Sequence, residues 1–357
     1  MTASRIAAAQ REMRRRGIDA LLVSVGSDLP YLTGYRAFPL ERITALVLPA
    51  DGEPVLFVPE LEAPRVDTFV DVRSWTETAD PHALIVEMLP GAGTIAVGDQ
   101  MWASFLLAFQ ARLPTATFVN AEPLMASLRV RKEADEIAAL REAALGVDRV
   151  ADELLTVRFS GRTEREVSRI VSDLTLAAGH DSVSFAIVAS GPNGSSPHHE
   201  ASERTIRSGE PVVVDFGGRV HGYGSDTTRV YCVGDPPDGY EDAYAVLLAA
   251  QKAAVAAVRP GVTAGSIDTA ARTVIDEAGY GEFFIHRTGH GIGLDAHEQP
   301  YLVEGNDQMI EAGMAFSIEP GIYVPDRWGM RIEDIVVATK DGVERLNRST
   351  RAIRFVD

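Results

Sequence analysis

The 357-residue chain holds a single cysteine, Cys232, so no intrachain disulfide can form and a disulfide scaffold is excluded. Cys232 lies in the apolar run Val230-Tyr231-Cys232-Val233 and reads as a buried, inert thiol. No apolar run approaches the ~20 residues needed to cross a bilayer. The first residues, Met-Thr-Ala-Ser-Arg-Ile, lack the apolar stretch of a signal peptide, so a soluble cytoplasmic protein is expected. Positive charge is scarce as well: 34 Lys and Arg stand against 51 Asp and Glu, a formal net charge of −17. That balance argues against an electrostatic nucleic-acid binder. The one basic run, Arg14-Arg15-Arg16, spreads around a helix axis and reads as a solvated face. No glycine-rich phosphate loop follows a strand in the N-terminal part, which leaves a nucleotide role unsupported there.

What is present is an ordinary globular composition, 46% hydrophobic and 24% charged, on a chain long enough for two domains. Residues 1–122 alternate strand-like runs (20–25, 44–48, 54–58, 94–97) with helix-like stretches (4–16, 60–67, 80–89, 102–112), the pattern of a small α/β domain. Residues 123–132, with Pro123 and the basic Arg129-Val130-Arg131-Lys132, read as the linker. From residue 133 to 357 the pattern is α+β. A long helix is expected at 133–157 from the spacing of Ile137, Leu140, Ala144, Val147, Val150 and Leu154. A capping box, Thr163 to Glu166, opens the next helix, which ends at Gly179. Strands are expected at 183–189, 212–216, 220–233, 283–286, 314–319 and 330–339, with a hairpin at Gly217-Gly218 and helices at 240–258 and 263–279.

Five potential metal ligands fall among these strands: Asp215, Asp226, His290, Glu319 and Glu333. Singly, each has a plain structural explanation, as a turn residue, a loop histidine or a sheet-edge carboxylate. As a set they are four carboxylates and one imidazole, the oxygen-rich donors that hard or borderline dications favour. If they converge, four negative charges need either bound cations or strongly raised pKa values, and two divalent ions would balance them. Oxygen-rich sites accept several dications; manganese is placed first, with cobalt or zinc fitting the same donors.

The phrases Val214-Asp215-Phe216-Gly217, Ser225-Asp226-Thr227-Thr228-Arg229, Gly289-His290-Gly291-Ile292-Gly293, Glu319-Pro320-Gly321 and Arg331-Ile332-Glu333-Asp334 occur in this order. Together they resemble the pita-bread metallopeptidases: methionine aminopeptidase, aminopeptidase P and Xaa-Pro dipeptidase (prolidase). The resemblance covers nearly the whole chain, because residues 1–122, with Tyr31-Leu32-Thr33-Gly34, look like a creatinase/prolidase-type N-terminal domain. It implies an α/β N-terminal domain and an α+β pita-bread catalytic domain. It implies that Asp215 chelates one metal, that Asp226 and Glu333 bridge two, and that His290 and Glu319 bind the second. In this comparison Glu319 takes the general-base position, and His198 and His297 donate hydrogen bonds to the scissile carbonyl or developing gem-diolate. His286 would line the pocket, Arg331 would brace the metal carboxylates or the substrate from the same strand face as Glu333, and His199 reads as solvated.

The activity implied is metal-dependent hydrolysis of the Xaa-Pro bond in dipeptides by a water bridging two metals, in a homodimer. Aminopeptidase P activity on longer Xaa-Pro peptides is the near alternative. A creatinase-like, metal-independent hydrolase is disfavoured because all five ligands are kept, and a non-catalytic binding protein because the pocket histidines are kept too. The pattern departs at one point: archaeal-type prolidases carry an arginine after His-Glu-Xaa-Pro, whereas His297-Glu298-Gln299-Pro300 is followed here by Tyr301. Tyrosine cannot make a bidentate charged pair with a carboxylate. Arg36 or Arg42 is the expected replacement.

Overall fold

The computed structural model describes residues 2–89 and 91–357, which divide into two compact units, Met1–Arg129 and Val130–Asp357. In the first, α1 (Thr2–Arg16), β1 (Ala20–Val23), α2 (Asp28–Thr33), β2 (Ala45–Pro49), β3 (Val55–Pro59), β4 (Asp71–Trp75), α3 (Pro81–Val86), β5 (Thr94–Val97), α4 (Ala103–Arg112), β6 (Thr117–Asn120) and α5 (Glu122–Arg129) follow one another. The strands form one mixed sheet, ordered β4-β3-β2-β1-β5-β6. Its central strands are the short runs of Ala, Val, Leu and Ile, buried along their length as strands in the middle of an α/β sheet must be. Arg14, Arg15 and Arg16 are exposed on α1.

Sequence reasoning missed β4 and β6 because most of their side chains face solvent and neither offers an apolar run. It read 60–67 as helix where only a single turn at Ala63–Arg65 forms. Residues 123–132, read as a linker, are helical up to Arg129: α5 buries Leu124 and Met125 and lies against α1.

The second unit runs α6 (Ala134–Glu153), α7 (Glu164–Ala177), β7 (Ser182–Ser190), β8 (Glu210–Val220), β9 (Tyr223–Gly224), β10 (Thr227–Val233), α8 (Tyr240–Ala257), α9 (Ala264–Glu277), β11 (Gly289–Gly291), β12 (Glu298–Leu302), β13 (Ala315–Ile318), β14 (Gly321–Val324), β15 (Trp328–Arg331), β16 (Asp334–Thr339), β17 (Gly342–Arg345) and β18 (Arg354–Val356). The Thr163 capping box forms: Thr163 Oγ1 accepts from the Glu166 N–H at 3.2 Å, and Glu166 Oε2 accepts from the Thr163 N–H at 2.8 Å. One sheet is ordered β18-β10-β8-β7 with β9 beside β8, and a second is ordered β12-β11-β13-β16-β17.

Strand β8 is apolar on both faces. Val212, Val214 and Phe216 pack with Val147, Val150, Val167 and Val171 of α6 and α7. Val213 packs in the core that holds Tyr240, Leu247, Ile267, Ala271 and Ile275 of α8 and α9. Side chains alternate along a strand, so Asp215 falls on the Val213 face. Cys232 is buried in β10, and burial pushes its thiol up to about 12.

Two expectations are corrected here. The hairpin does not turn at Gly217-Gly218, which lie inside β8 with backbone packed closely over them: a Cβ on Gly217 would sit 2.0 Å from the Ser225 carbonyl oxygen. The chain reverses at His221-Gly222, both with positive φ (52° and 84°), the combination a tight hairpin turn needs. The apolar stretch 283–286 is a helical turn followed by irregular chain, in which Phe284 is buried and Ile285 is 65% exposed.

Candidate metal centre

Asp215 sits in mid-β8 opposite Thr228, and Asp226 immediately precedes β10, so the two carboxylates come from adjacent antiparallel strands. His290 is the middle residue of β11, and Glu319 follows the last residue of β13. Glu333 occupies a break between β15 and β16, where the sequence predicted one unbroken strand over 330–339. Arg331 and Glu333 are therefore not in one continuous strand, yet their side chains meet at Thr228. Thr228 Oγ1 accepts from Arg331 Nε at 2.9 Å and donates to Glu333 Oε2 at 2.7 Å.

The five side chains converge. Ligand atoms of Asp215, Asp226 and Glu333 lie within 4.8 Å of one another, as do those of His290, Glu319 and Glu333, so Glu333 belongs to both groups. His290 Nε2 is 3.1 Å from Glu319 Oε1 and 3.7 Å from Asp226 Oδ2. The other ring nitrogen, Nδ1, donates to the Gly291 carbonyl at 3.1 Å, which directs Nε2 at the carboxylates. Without a cation Nε2 carries a proton toward them, and with a metal bound its lone pair would face the ion. Glu319 is steadied by Ser317, whose hydroxyl accepts from the His290 backbone N–H and donates to Glu319 Oε1, both at 3.0 Å. A Cβ on Gly289 would meet the Ser317 carbonyl oxygen at 2.0 Å, and one on Gly291 the Gln299 carbonyl oxygen at 2.1 Å. Only glycine on both sides lets His290 lie this close to its neighbouring strands.

The electrostatics point the same way. Burial, with neighbouring carboxylates adding to it, pushes Asp226 and Glu333 well above the usual carboxylate range and raises Asp215. Burial is the largest single influence on Glu319 and raises it, but His290, His286 and Arg331 together overcome that and hold the group at about 2. Asp215 Oδ1 and Glu333 Oε1 are buried with no hydrogen-bond partner. Buried carboxylate oxygens without donors are costly unless a cation meets them, so this donor set fits a divalent metal centre.

Above the cluster opens a cavity of about 570 Å³ lined by Ser196, Pro197, His198, Ile285, His286, Arg287, His290, His297, Glu319 and Arg331. The His297 ring centroid is 4.1 Å from that of His290, and burial followed by the His290 charge lowers His297 to about 4. His297 is therefore neutral near pH 7, with one N–H to donate. A relay of hydrogen bonds crosses the floor. Arg331 Nη1 donates to the Tyr323 hydroxyl at 2.7 Å, that hydroxyl donates to His286 Nε2 at 2.9 Å, and His286 Nδ1 donates to the Arg287 carbonyl at 2.7 Å.

The metallopeptidase family M24 pattern matches residues 138–340, and the creatinase/prolidase N-terminal domain matches residues 5–131. The chain belongs to metallopeptidase family M24. It is 45% identical to a protein of Mycobacterium tuberculosis named "Probable dipeptidase PepE", over 97% of this chain and 94% of that one. It is 37% identical to the "Xaa-Pro dipeptidase" of Lactobacillus delbrueckii subsp. lactis, over 97% of each. The solved recombinant prolidase from Thermococcus sibiricus superposes with a TM-score of 0.96 at 35% identity, covering 100% of this chain and 99% of that one. The pita-bread fold and a hydrolytic, metal-dependent chemistry follow from that membership.

Within this M24 domain the remaining expected residues take varied places. His198 is exposed at the cavity wall, whereas His199, expected to be solvated, is half-buried and lies 2.9 Å from Glu164 Oε2. Glu164 also accepts from the Ser190 and Ser202 backbone N–H groups, both serine hydroxyls and the Asn193 amide, so it ties down the loop that carries His198. Tyr301 does not line the cavity; its ring lies under the Arg287 guanidinium, 4.3 Å from the centroid. In the first unit, Arg36 is exposed, and Arg42 is committed to Glu41 and Glu77.

Sequence reasoning passed over Thr228, Ser317, Tyr323, Arg287 and Glu164. Thr228 stands inside the Ser-Asp-Thr-Thr-Arg phrase and Arg287 beside His286, so both were adjacent to a signal. Glu164 and Tyr323 carried none.

Proposed function

We propose that the chain hydrolyses the Xaa-Pro bond of dipeptides at a dinuclear centre held by Asp215, Asp226, His290, Glu319 and Glu333. The observation that carries this reading is the buried carboxylate cluster with two partnerless oxygens, opening onto a cavity of about 570 Å³. That volume lies within the ordinary range of small-ligand pockets and is ample for a dipeptide. The names of the relatives, dipeptidase and Xaa-Pro dipeptidase, support the same substrate class.

Two divalent cations, when bound, neutralise the clustered carboxylates, activate a water and polarise the scissile carbonyl. Asp215, Asp226 and Glu333 form one half of the cradle, and His290 and Glu319 the other, with Glu333 common to both. Glu319 lines the cavity and takes a proton from the attacking water. His198 and His297 face the same space and donate hydrogen bonds to the oxygen that gains charge. Arg331 opposes the burial that raises Asp215 and fixes the carboxylate in place, with Nη2 2.6 Å from Oδ2. We take manganese as the metal and a homodimer as the assembly, the latter checked by the mass of the protein in solution.

The test is hydrolysis of Leu-Pro beside Leu-Pro-Pro by chelator-treated protein, with and without added manganese. Metal-dependent cleavage of the dipeptide in preference is expected. Preference for the tripeptide would make the activity that of an aminopeptidase P, and no cleavage of either with metal bound would sink the substrate class.

A further inference from the structure

A dipeptide ending in proline presents a free carboxylate on the far side of the scissile bond, and a cavity that reads it needs an unspent cation. The lining offers two guanidinium groups, Arg331 and Arg287. Arg331 is spent: Nη2 is on Asp215 at 2.6 Å, Nε on Thr228 at 2.9 Å, and Nη1 on the Tyr323 hydroxyl at 2.7 Å. Arg287 is not, since among the described residues no carboxylate lies within ion-pair distance of it.

Arg287 is nonetheless held in place. Its guanidinium lies over the Tyr301 ring, 4.3 Å from the centroid, an attraction that uses the face of the group and leaves its in-plane N–H donors available. The backbone around it is pinned from α9. Arg272 donates to the Phe284 carbonyl at 3.1 Å and the His286 carbonyl at 3.0 Å, and Asp268 accepts from the Thr288 N–H at 3.1 Å and hydroxyl at 2.8 Å. Ile285, between Phe284 and His286, turns an exposed apolar side chain to the same cavity.

We propose that Arg287 anchors the C-terminal carboxylate of the substrate, an inference that rests on the dipeptide reading above. Tyr301 is then a positioning residue, acting through Arg287 without touching the substrate. The planar fork of a stacked arginine matches a carboxylate bidentately, which restricts the site to peptides whose chain ends at that residue.

The experiment compares Leu-Pro with Leu-prolinamide, which has the same scissile bond and no carboxylate, on manganese-loaded protein. Wild type is expected to show the lower KM for the acid. Arg287→Met raises the KM for Leu-Pro about tenfold or more, tenfold being ~1.4 kcal/mol, with little change in kcat and none in the KM for the amide. Arg287→Lys restores part of the preference for the acid, Tyr301→Phe keeps it, and Tyr301→Ala loses part of it. If Arg287→Met does not fold, the lysine variant and the two Tyr301 variants carry the same comparison. Equal effects on acid and amide, or a wild type that cleaves both without preference, overturn the anchor and leave Xaa-Pro hydrolysis standing. A wild type that cleaves neither with metal bound overturns the functional reading and the anchor with it.

Discussion

Arg331 lies with Nη2 2.6 Å from Asp215 Oδ2, a buried ion pair at the carboxylate cluster, and its Nε reaches Glu333 through the Thr228 hydroxyl. One guanidinium thereby sets two of the four clustered carboxyl groups. Such outer partners tune metal affinity by roughly 10–100-fold. Arg331→Met is therefore expected to weaken manganese binding by about that factor, read by calorimetric titration of the chelated protein. An unchanged affinity would mean that Asp215 is held by its strand alone.

The clustered carboxylates repel one another until a cation arrives. Metal is expected to raise the melting temperature, because a ligand that binds only the folded state at 100 times its Kd contributes about 2.7 kcal/mol. Glu333→Gln removes one of the groups whose charge burial and its neighbours disfavour. The chelated variant should melt at or above the temperature of chelated wild type, and added manganese should raise it far less. A variant that melts lower without metal and gains as much with it would contradict the repulsion argument.

Glu164 has a wholly buried side chain, and its hydrogen bonds hold it at about 2 against its burial, below an ordinary 4.5. A carboxyl depressed by folding stabilises the native state fully above its unfolded pKa, and that contribution is lost as pH falls toward the folded value. The loss falls between about pH 4.5 and 2 and amounts to roughly 3 kcal/mol. Urea unfolding at pH 7 and pH 3 should show a smaller difference for Glu164→Gln than for wild type. Equal differences would show that Glu164 does not drive acid sensitivity.

Gly289 lies where a Cβ would be 2.0 Å from the Ser317 carbonyl oxygen. Gly289→Ala must push β11 from β13 and is expected to cost about 1–3 kcal/mol or more, while loosening His290. Denaturant midpoints measure the first effect and manganese titration the second. Gly279→Ala supplies the control for handling: that position has a positive φ and open space around it, so it is strained without disturbing the site.

Much of this protein was legible in its residues. The order Asp215, Asp226, His290, Glu319, Glu333 marked the centre because the five phrases occur together in a family pattern, and because Asp215, Glu319 and Glu333 stand in or beside apolar runs, where a charge needs a reason. The helices α6 to α9 were legible because their buried faces repeat at helical spacing. Exposed strands β4 and β6 were not, since a strand stabilised by backbone pairing alone leaves no apolar pattern.

Tertiary structure alone decided what surrounds the centre. Thr228 joins Arg331 to Glu333 only because the folded chain brings 228 against 333, more than a hundred residues apart. Arg287 is set over Tyr301, and Glu164 beneath the loop of His198, by contacts between distant segments. Ligand identity is a local property, since donor chemistry belongs to the residue. The direction in which a hydrogen bond or a free cation points is a property of the packed chain, and becomes known only when the sheets are closed over one another.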